Sequence, residues 1–434
     1  MKRIAIIGGG WAGLAAAANL AGQDIAVRVF EAARQLGGRA RRVEVQGIPL
    51  DNGQHILVGA YRETLRMMRL VGVDPDRALL RLPLELRLAG GFRIKAPSWP
   101  SPFHLAGALA MARGLTTADK LAALRFVTTL RRAHYRLDAD CPVRDLLDRH
   151  RQPDAVRRRL WEPLCVAALN TPASIASAQV FANVLRDTFG GDRAASDLLL
   201  PRSDLSALFP DTAAQYVRRH GGEIALGAPV RTIEFAPGIG WTVEGAGPFA
   251  AVILANAPQH AATLVSDFDE LAPLVRELSA LTFEPIYTCY LQYPESTRLP
   301  FPMVGFESGT VHWAFDRGTL SGHRGLMAAV TSASGPHEGE DHSAFTRMAH
   351  DALATVVPGL PQPQWARVIA ERRATFACTP NLRRPANETA VDGLFLAGDY
   401  TASDYPGTLE SAVRSGVRAA ELAALELGRE RANA

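Results

Sequence analysis

Three glycines near the start of the chain have the spacing of a phosphate-binding turn. Gly8, Gly10 and Gly13 follow the apolar residues 4–7, which are typical of a buried strand, and precede an Ala/Leu-rich helical stretch. In such a unit the first glycine permits a tight turn, the second lets the backbone approach a pyrophosphate, and the third allows close helix–strand packing. Unpaired N–H groups and the positive end of the helix dipole favour a diphosphate there. The spacing therefore predicts that the chain binds a dinucleotide.

An acidic residue completes this pattern. The second strand-like stretch, residues 26–30, ends on Glu31, whose carboxylate is placed to accept hydrogen bonds from ribose hydroxyls. Its negative charge also disfavours a 2′-phosphate, and hence NADP, at this position. Glycines at this spacing also occur in plain turns, but the succession of strand, helix, strand and acid favours nucleotide binding.

A second glycine turn and a polar patch follow. Gly38 and Arg39 predict a second phosphate contact in which the guanidinium supplies positive charge, although a plain turn would also explain the glycines. Their distance from Glu31 along the chain favours the phosphate contact. Gln54 and His55 belong to a polar patch at residues 51–55, and the sequence leaves open whether this patch lines a cofactor.

Near the carboxyl terminus, another strand-like stretch is followed by an acidic residue. The apolar residues 394–396 lead to Gly398 and Asp399, and a predicted helix at residues 413–427 follows Thr408. The N-terminus of that helix can face the ring of a flavin and stabilise its reduced, anionic form. Asp399 is placed to bind the ribityl chain or the neighbouring phosphate. Both ends of the chain are therefore expected to build one cofactor site.

Composition restricts the class of protein. With 434 residues, 47% hydrophobic and 21% charged, the chain is long enough for about two or three globular domains. A net charge of +3 gives no reason to expect a nucleic-acid partner. The four cysteines are far apart and form no CxxC pair, so we predict no metal site or disulfide, and a cytoplasmic location. No apolar run reaches the ~20 residues that span a bilayer.

Residues 98–135 are the candidate for a membrane-surface segment. They contain Trp99, Phe103 and Met111 with few charges, followed by a predicted helix at residues 121–135 that ends in arginines. Apolar and aromatic side chains beside arginines are typical of a segment that lies on anionic lipid. They also fit a buried domain core, which is the commoner case, and the sequence leaves both interpretations open.

These motifs together resemble a known family. GGGWAGLAAA (residues 8–17), LGGRA (36–40) and LAGDYT…GTLESAVRSG (396–416) resemble the FAD-dependent amine oxidase and phytoene desaturase superfamily. LDNGQHILVGAYRETL (50–65) and RRATFACTP (372–380) look more specifically like its squalene-associated branch, the hydroxysqualene dehydroxylases. The resemblance runs along nearly the whole chain.

The resemblance implies an α/β fold with a three-layer, Rossmann-like FAD-binding domain and an inserted α+β substrate-binding domain. We expect the FAD-binding domain to comprise residues 1–78, 211–268 and 385–434. The inserted domain would comprise residues 79–210, mostly helical, and residues 269–384.

The resemblance also implies which residues bind FAD. Carried over position by position, they are Gly8, Gly10, Gly13, Glu31, Gly38, Arg39, Val230 (whose backbone would meet the adenine), Gly398, Asp399, Thr408, Leu409, Glu410 and Ser411. Two features depart from amine oxidases. Those enzymes commonly have an aromatic residue where this chain has Thr408, and many place a lysine near the flavin. Here the only lysines, Lys2, Lys95 and Lys120, lie in the first third of the chain.

For the branch, the implied reaction is reduction of hydroxysqualene to squalene in hopanoid biosynthesis. The allylic hydroxyl would leave as water with the help of a proton donor. The candidates are His55, Asp204 and Tyr405, and His55 is favoured because its ordinary pKa of about 6.5 requires only a small shift.

The same resemblance suggests partners and alternatives. We expect a long apolar isoprenoid substrate, an external electron donor such as NAD(P)H, and contact with upstream squalene-pathway enzymes. The protein would lie in the cytoplasm, peripherally on the inner face of the cell membrane. The alternatives are a carotenoid-type polyene desaturase, an amine oxidase, and a non-catalytic lipid-binding protein of the same fold.

Overall fold

A computed structural model describes residues 3–432 of the chain and the side chains of residues 3–428. The strands are, in chain order, β1 (Arg3–Ile7), β2 (Val27–Glu31), β3 (Arg42–Val45), β4 (Ile48–Asp51), β5 (Leu57–Val58), β6 (Leu79–Leu82), β7 (Glu85–Arg87), β8 (Arg93–Lys95), β9 (Leu198–Pro201), β10 (Glu223–Leu226), β11 (Ile233–Ala236), β12 (Gly240–Val243), β13 (Ala246–Leu254), β14 (Phe283–Gln292), β15 (Met303–Gly305), β16 (Trp313–Asp316), β17 (Leu326–Ser332), β18 (Trp365–Phe376) and β19 (Leu394–Leu396).

The α-helices are α1 (Trp11–Ala21), α2 (Arg62–Leu70), α3 (Pro75–Ala78), α4 (Phe103–Ala110), α5 (Thr117–Arg132), α6 (Val143–Arg149), α7 (Asp154–Val156), α8 (Glu162–Leu169), α9 (Ala178–Phe189), α10 (Leu205–Leu208), α11 (Pro210–Arg219), α12 (Pro258–Leu264), α13 (Ala272–Ser279), α14 (Arg317–Ser321), α15 (His342–Ala354) and α16 (Leu409–Ala432). Short 3₁₀ or π turns lie at Arg157–Trp161, Arg193–Ser196, Asp269–Leu271 and Pro336–Gly339.

The largest sheet has seven strands and forms the centre of the nucleotide-binding part. Its strand order is β10-β2-β1-β13-β12-β11, and β19 also pairs with β13. β10, β2, β1, β13 and β19 run parallel, whereas β12 and β11 extend the sheet in antiparallel pairing. The carboxyl ends of β1, β2 and β19 therefore open at one edge, where ligands bind in sheets of this class.

The side chains of β1 explain why this sheet lies between two layers. Ile4 and Ile6 are fully buried in a cluster that also contains the alanines of α1 and the apolar face of α16. Ala5 and Ile7 point to the opposite face and join a second cluster that includes Trp241 on β12. A strand that is apolar on both faces is typical of a buried parallel sheet. The predicted α/β fold with a three-layer FAD-type domain is confirmed.

A five-stranded antiparallel sheet carries much of the other half, in the order β15-β16-β17-β14-β18. The residues at 286–293 and 326–331 read as strands in the sequence and predict β14 and β17, but the sequence singles out no strand at β18. β18 is a long strand at the edge of the sheet, and its charged and apolar side chains do not alternate regularly. Edge strands tolerate charged residues, so the usual apolar pattern of a strand is missing. Its pairing with β14 runs from Phe283 opposite Phe376 to Gln292 opposite Trp365.

The last helix begins earlier than the sequence predicts. α16 starts at Leu409 rather than at residue 413, because the Thr408 hydroxyl accepts a hydrogen bond from the backbone N–H of Ser411 (3.1 Å). The positive end of the helix therefore lies directly after Thr408.

Strands of the seven-stranded sheet come from residues 3–31, 223–254 and 394–396, and the material between them forms the rest of the molecule. The exact domain limits stay a prediction. Within residues 3–432, no helix combines the length and apolar character that crossing a membrane requires.

Candidate active site

The amino-terminal turn has the geometry that its glycines predict. Gly8 has a φ of +114°, a conformation that L side chains rarely adopt. A Cβ on Gly13 would lie 1.9 Å from the Gly8 carbonyl oxygen, so only glycine lets α1 pack this closely on the turn. A Cβ on Gly10 would have only the Gly38 Cα nearby, at 3.8 Å, which leaves its surroundings open. The turn therefore has close packing on one side and space for a ligand on the other.

Glu31 is fixed at the end of β2 with part of its carboxylate free. One oxygen accepts the Gly9 N–H (2.6 Å) and the other accepts the Ala33 N–H (2.8 Å). A carboxylate has about four lone-pair sites, so about two remain for ribose hydroxyls. The backbone N–H of Ala228 donates to the Glu31 carbonyl (2.9 Å), which brings the segment containing Val230 beside this site.

The Gly38–Arg39 turn lies against the first turn. The Gly37 N–H donates to the Gly9 carbonyl (2.9 Å), and Asn52 clamps the turn from the other side. The Asn52 side chain donates to the Arg39 carbonyl (2.9 Å) and accepts from the Arg41 N–H (3.0 Å). This part of the polar patch therefore supports the loop that carries the predicted phosphate contact.

The two ends of the chain meet at an ion pair. The Arg39 guanidinium pairs with the Asp399 carboxylate, although 360 residues separate them in the sequence. The Ser411 hydroxyl donates to the Asp399 carbonyl (3.2 Å), which ties the start of α16 to the end of β19. A Cβ on Gly398 would strike the Tyr400 ring at 2.4 Å, so glycine is required next to this acid.

The Glu410 side chain binds a neighbouring helix. Its carboxylate is fully buried and accepts the backbone N–H groups of Glu63 (3.1 Å) and Thr64 (2.8 Å) at the start of α2. It also accepts the Thr64 hydroxyl and pairs with Arg414 (both distances within 2.8 Å). The carboxylate thus caps α2, and any cofactor contact of Glu410 is left to its backbone, beside that of Leu409.

Unpaired polar atoms support the fit of FAD to these residues. The buried Tyr400 hydroxyl, next to Asp399, has no hydrogen-bond partner among the described residues, and neither has Oδ1 of Asn256. The backbone of Asn256 adjoins Gly8, since a Cβ on that glycine would lie 2.9 Å from the Asn256 nitrogen. A buried polar atom without a partner is costly, and the hydroxyls and phosphates of a dinucleotide can supply one.

A large cavity lies in the inserted part of the chain. Its volume is about 1220 Å³, above the roughly 300–1,000 Å³ of sites for drug-sized ligands. Its wall is mainly apolar and includes side chains of α4, α5 and α8 and of the strands β5, β7 and β8. The cavity is therefore suited to a long apolar molecule.

One end of the cavity is polar and reaches the predicted cofactor site. This polar end consists of Tyr61, Arg62, Arg186, Asp187, Tyr405, Thr408 and Arg414. Thr408, the residue before α16, joins the cavity to the cofactor side of the molecule. Among the described residues that line the cavity, four are arginines and Asp187 is the single acid.

Tyr405 is the predicted proton donor that the structure brings to the cavity. The Arg414 guanidinium lies 4.6 Å from the centre of its ring, and Asp187 lines the same part of the cavity. Burial, followed by the neighbouring Asp187 carboxylate, raises the pKa of Tyr405, so the phenol stays neutral. The Arg384 guanidinium also donates to the Tyr405 carbonyl (2.8 Å) and fixes its backbone.

His55 differs from the expectation. Its neighbour Ile56 lines the cavity, but His55 is not among the lining residues that the structure describes. Its Nδ1 lies 3.2 Å from the Gly53 carbonyl, an acceptor, which assigns the proton to Nδ1. Burial lowers the pKa of His55, opposite to the direction that a protonated donor needs. The expectation that the pKa of His55 suits a protonated donor is therefore corrected. The catalytic role of His55 stays a prediction.

Asp204 has a structural position. It accepts the Ala207 N–H (3.0 Å) as the N-cap of α10 and pairs with Arg42 (3.3 Å). It is not among the described lining residues of the cavity, so the structure brings Tyr405, but neither Asp204 nor His55, to the polar end.

A buried network behind the polar patch was not predicted. Arg317, 2% exposed, donates to Gln54 (2.9 Å) and lies 3.7 Å from the Asp51 carboxylate. The Tyr290 hydroxyl accepts from Gln54 (2.7 Å) and donates to the Asp51 carbonyl (2.8 Å). Burial raises the pKa of Asp51 to about 6, although Arg317 opposes that shift. The network joins the patch at residues 51–55 to the antiparallel sheet.

Asp187 and Arg414 were also missed. Both lie on helices, where a charged residue is most often on a solvated face, and no local motif marks them. Only the approach of α9 to the start of α16 brings them together.

Comparison with known proteins agrees with this geometry. The family of flavin containing amine oxidoreductases matches residues 11–424. A hydroxysqualene dehydroxylase from Zymomonas mobilis is 28% identical, over 96% of this chain and 98% of its own. A probable zeta-carotene desaturase from Synechococcus elongatus is 24% identical, over 96% of this chain and 98% of its own. The solved structure of cyclohexylamine oxidase from Brevibacterium oxydans has a TM-score of 0.68 at 18% identity, covering 98% of this chain and 99% of that one.

Proposed function

The chain belongs to the family of flavin containing amine oxidoreductases, and we propose that it reduces hydroxysqualene to squalene, within squalene and hopanoid biosynthesis. It is an FAD-dependent oxidoreductase of the branch that includes the hydroxysqualene dehydroxylases. The substrate of this proposal is a C30 isoprenoid alcohol.

The observation that carries the proposal is the shape and polarity of the cavity. Burial of each CH₂ contributes about 0.8 kcal/mol, whereas a neutral hydrogen bond contributes only about 1 kcal/mol. A molecule of thirty carbons with one hydroxyl therefore gains most of its affinity from apolar walls. It needs polar partners at one point only, beside the cofactor, and the polar end at Thr408 offers them.

The residues of the chain then have distinct roles. The two glycine turns, Glu31 and Asp399 would bind the cofactor, which supplies hydride to the substrate carbon when it is bound in its reduced form. The apolar wall excludes water and aligns the chain of the substrate. The polar end holds the hydroxyl that leaves.

Amine oxidation fits the cavity less well. An ammonium group is stabilised by nearby negative charge, whereas the described lining of the cavity contains four arginines and the single acid Asp187. The excess of positive charge raises the cost of bringing an ammonium into a poorly hydrated site.

A polyene desaturase is the second candidate, because a relative over the full chain is named a probable zeta-carotene desaturase. The apolar cavity would accommodate a polyene equally well. Such an enzyme would need no partner for a hydroxyl, so the polar end favours the alcohol.

We also propose that the protein receives its substrate from an anionic lipid bilayer. The side chains of Trp99, Phe103, Met111, Leu121 and Leu124 are large, apolar and about half exposed or more, and all lie in the segment 98–135. Phe103 and Leu124 also line the cavity, so this surface adjoins its opening. α5 carries Lys120, Arg125, Arg131 and Arg132, while its one acid, Asp119, caps the helix. Apolar side chains among cations suit anionic lipid.

The electrons would come from an external donor such as NAD(P)H or another protein, and contact with upstream squalene-pathway enzymes would supply the substrate. The sequence contains no second dinucleotide motif that could bind NAD(P)H permanently.

The test is anaerobic incubation of the chemically reduced holoenzyme with hydroxysqualene. We expect one squalene and one oxidised flavin for each hydroxysqualene consumed. In parallel, oxidised enzyme is incubated with squalene. New double bonds with flavin reduction there, and no squalene in the first reaction, would replace the proposal with the desaturase.

A further inference from the structure

We propose that Asp187 and Tyr405 form a hydroxyl-binding pair that holds the oxygen of the substrate beside the cofactor. The proposal rests on the proposed function and adds the residues that recognise the group to be removed. In this arrangement the substrate O–H donates to the Asp187 carboxylate, and the Tyr405 phenol donates to the substrate oxygen.

The position of the pair is the first argument. Asp187 lies near the carboxyl end of α9 and Tyr405 three residues before Thr408, and both line the cavity at its polar end. The rest of the wall is dominated by aliphatic side chains. Other neutral hydroxyls also line the cavity, Tyr61 and Thr408 at the polar end and Ser101, Thr128, Tyr135, Thr188 and Ser196 along the rest of the wall. Asp187 is the single carboxylate among the described lining residues.

The second argument is that the pair is already ordered. The Arg186 guanidinium binds Asp187 through both carboxylate oxygens (2.7 and 3.2 Å). Arg414 packs over the Tyr405 ring and is itself fixed by the buried Glu410 (2.7 Å). Ordered partners lower the entropy that binding must overcome.

The third argument is the complementarity of donors and acceptors. Asp187 and Tyr405 both face the cavity at its polar end. A substrate hydroxyl that enters between them can form one hydrogen bond to each. A carboxylate only accepts and a neutral phenol can donate, so the pair matches an alcohol, which offers one donor and two lone pairs.

The pair predicts discrimination between hydroxysqualene and squalene, which differ at this group. Squalene offers neither residue a hydrogen-bond partner, whereas the alcohol forms a hydrogen bond to the charged Asp187 carboxylate. Such bonds correspond to about 10- to 100-fold in affinity. The product would therefore bind more weakly than the substrate and leave the site.

The experiment compares the ratio of dissociation constants, squalene over hydroxysqualene, for oxidised FAD-loaded enzyme in one detergent. Wild type should prefer hydroxysqualene at least about tenfold, and D187N and Y405F should each remove most of that preference while squalene binds as before. Asp404 offers the matched control, because its exposed carboxylate also pairs with Arg186 (3.3 Å) but does not line the cavity. D404N should keep the wild-type ratio.

Flavin absorbance and circular dichroism verify that each variant is folded. D187N replaces the charged acceptor of the pair, and Y405F removes its phenol donor. A wild-type ratio in both D187N and Y405F would overturn the pair while leaving the proposed function intact. If wild type itself fails to convert hydroxysqualene, the proposed function fails, and the pair fails with it.

Discussion

Glu31 connects the predicted ribose contact to the backbone of the glycine turn. The Glu31→Ala variant should bind FAD about 10- to 100-fold more weakly, because a hydrogen bond to a charged partner contributes about 1.5–3 kcal/mol. Titration of the apo-protein with FAD measures this. Glu44→Ala is the matched control, since Glu44 is an exposed glutamate on the nearby strand β3. Equal affinity in Glu31→Ala and Glu44→Ala would remove the ribose assignment.

The surroundings of His55 oppose the proton-donor role that its residue type suggests. The lowered pKa makes a neutral imidazole the main form near neutral pH, and Nδ1 is occupied by the Gly53 carbonyl. We therefore expect His55→Ala to retain bound FAD and to form squalene at a rate within about tenfold of wild type. Loss of a general acid costs about 10²–10⁴-fold, so a decrease of that size with intact flavin would identify His55 as the donor after all.

At the scale of elements, the contact between α1 and α16 places two helix N-termini at one site. A Cβ on Gly416 of α16 would lie 2.1 Å from the carbonyl oxygen of Ala12 on α1. Gly416→Ala should force the helices apart and lower the free energy of unfolding by about 1–3 kcal/mol, with weaker FAD binding.

The same helix contains its own control. A Cβ on Gly428 would meet nothing within 4 Å, so Gly428→Ala should be neutral or stabilise by up to about 1 kcal/mol through helix propensity. Chemical denaturation and FAD titration of both variants test the contact. If Gly416→Ala is as stable as Gly428→Ala, the close approach does not exist in solution.

The buried network between β4 and the antiparallel sheet should make stability depend on pH. The pKa of Asp51 is raised from 3.8 to about 6, so the folded state binds this proton more tightly than the unfolded chain. Its contribution is therefore complete below about pH 4 and is lost as the pH rises through about 6. A pKa that rises by about two units, at about 1.36 kcal/mol per unit, limits this contribution to the free energy of unfolding to about 3 kcal/mol.

Asp51→Asn isolates this effect. Its amide oxygen can still accept the Leu205 N–H that Asp51 accepts now (2.7 Å), but it does not titrate. Between about pH 4 and 6.5, the free energy of unfolding of wild type should fall relative to that of the variant. Parallel stability curves for the two proteins over this range would mean that Asp51 does not carry the shift.

At the scale of the whole molecule, the apolar surface at residues 98–135 predicts binding to membranes. Holoenzyme should sediment with vesicles that contain anionic phospholipid, more weakly as salt is added, and Phe103→Glu should reduce the bound fraction several-fold. Ile239→Glu is the control, because Ile239 is equally exposed (66% against 63%) in the turn between β11 and β12.

A wild-type protein that stays in the supernatant at low salt would exclude the membrane proposal. An equal loss in Phe103→Glu and Ile239→Glu would instead mean that any added negative charge weakens binding, and that residues 98–135 are no specific surface.

The sequence by itself determined the nucleotide-binding fold and the cofactor. Glycine spacing, an acid after the second strand and the carboxyl-terminal motif are local patterns, and each is dictated by the short-range geometry of a turn or a helix end. Gly8 accordingly has a positive φ, and Gly13 lies in the close helix–strand contact that its position predicts.

Only the tertiary structure decided the surroundings of the reacting group. Asp187 and Arg414 lie beside Tyr405 because α9 is close to the start of α16. No sequence pattern in either helix predicts that contact. The burial of His55 and the capping of α2 by the Glu410 carboxylate depend on the tertiary structure in the same way. A pKa and a hydrogen-bond partner depend on desolvation and on distant residues that arrive through folding, whereas a turn depends on its immediate neighbours.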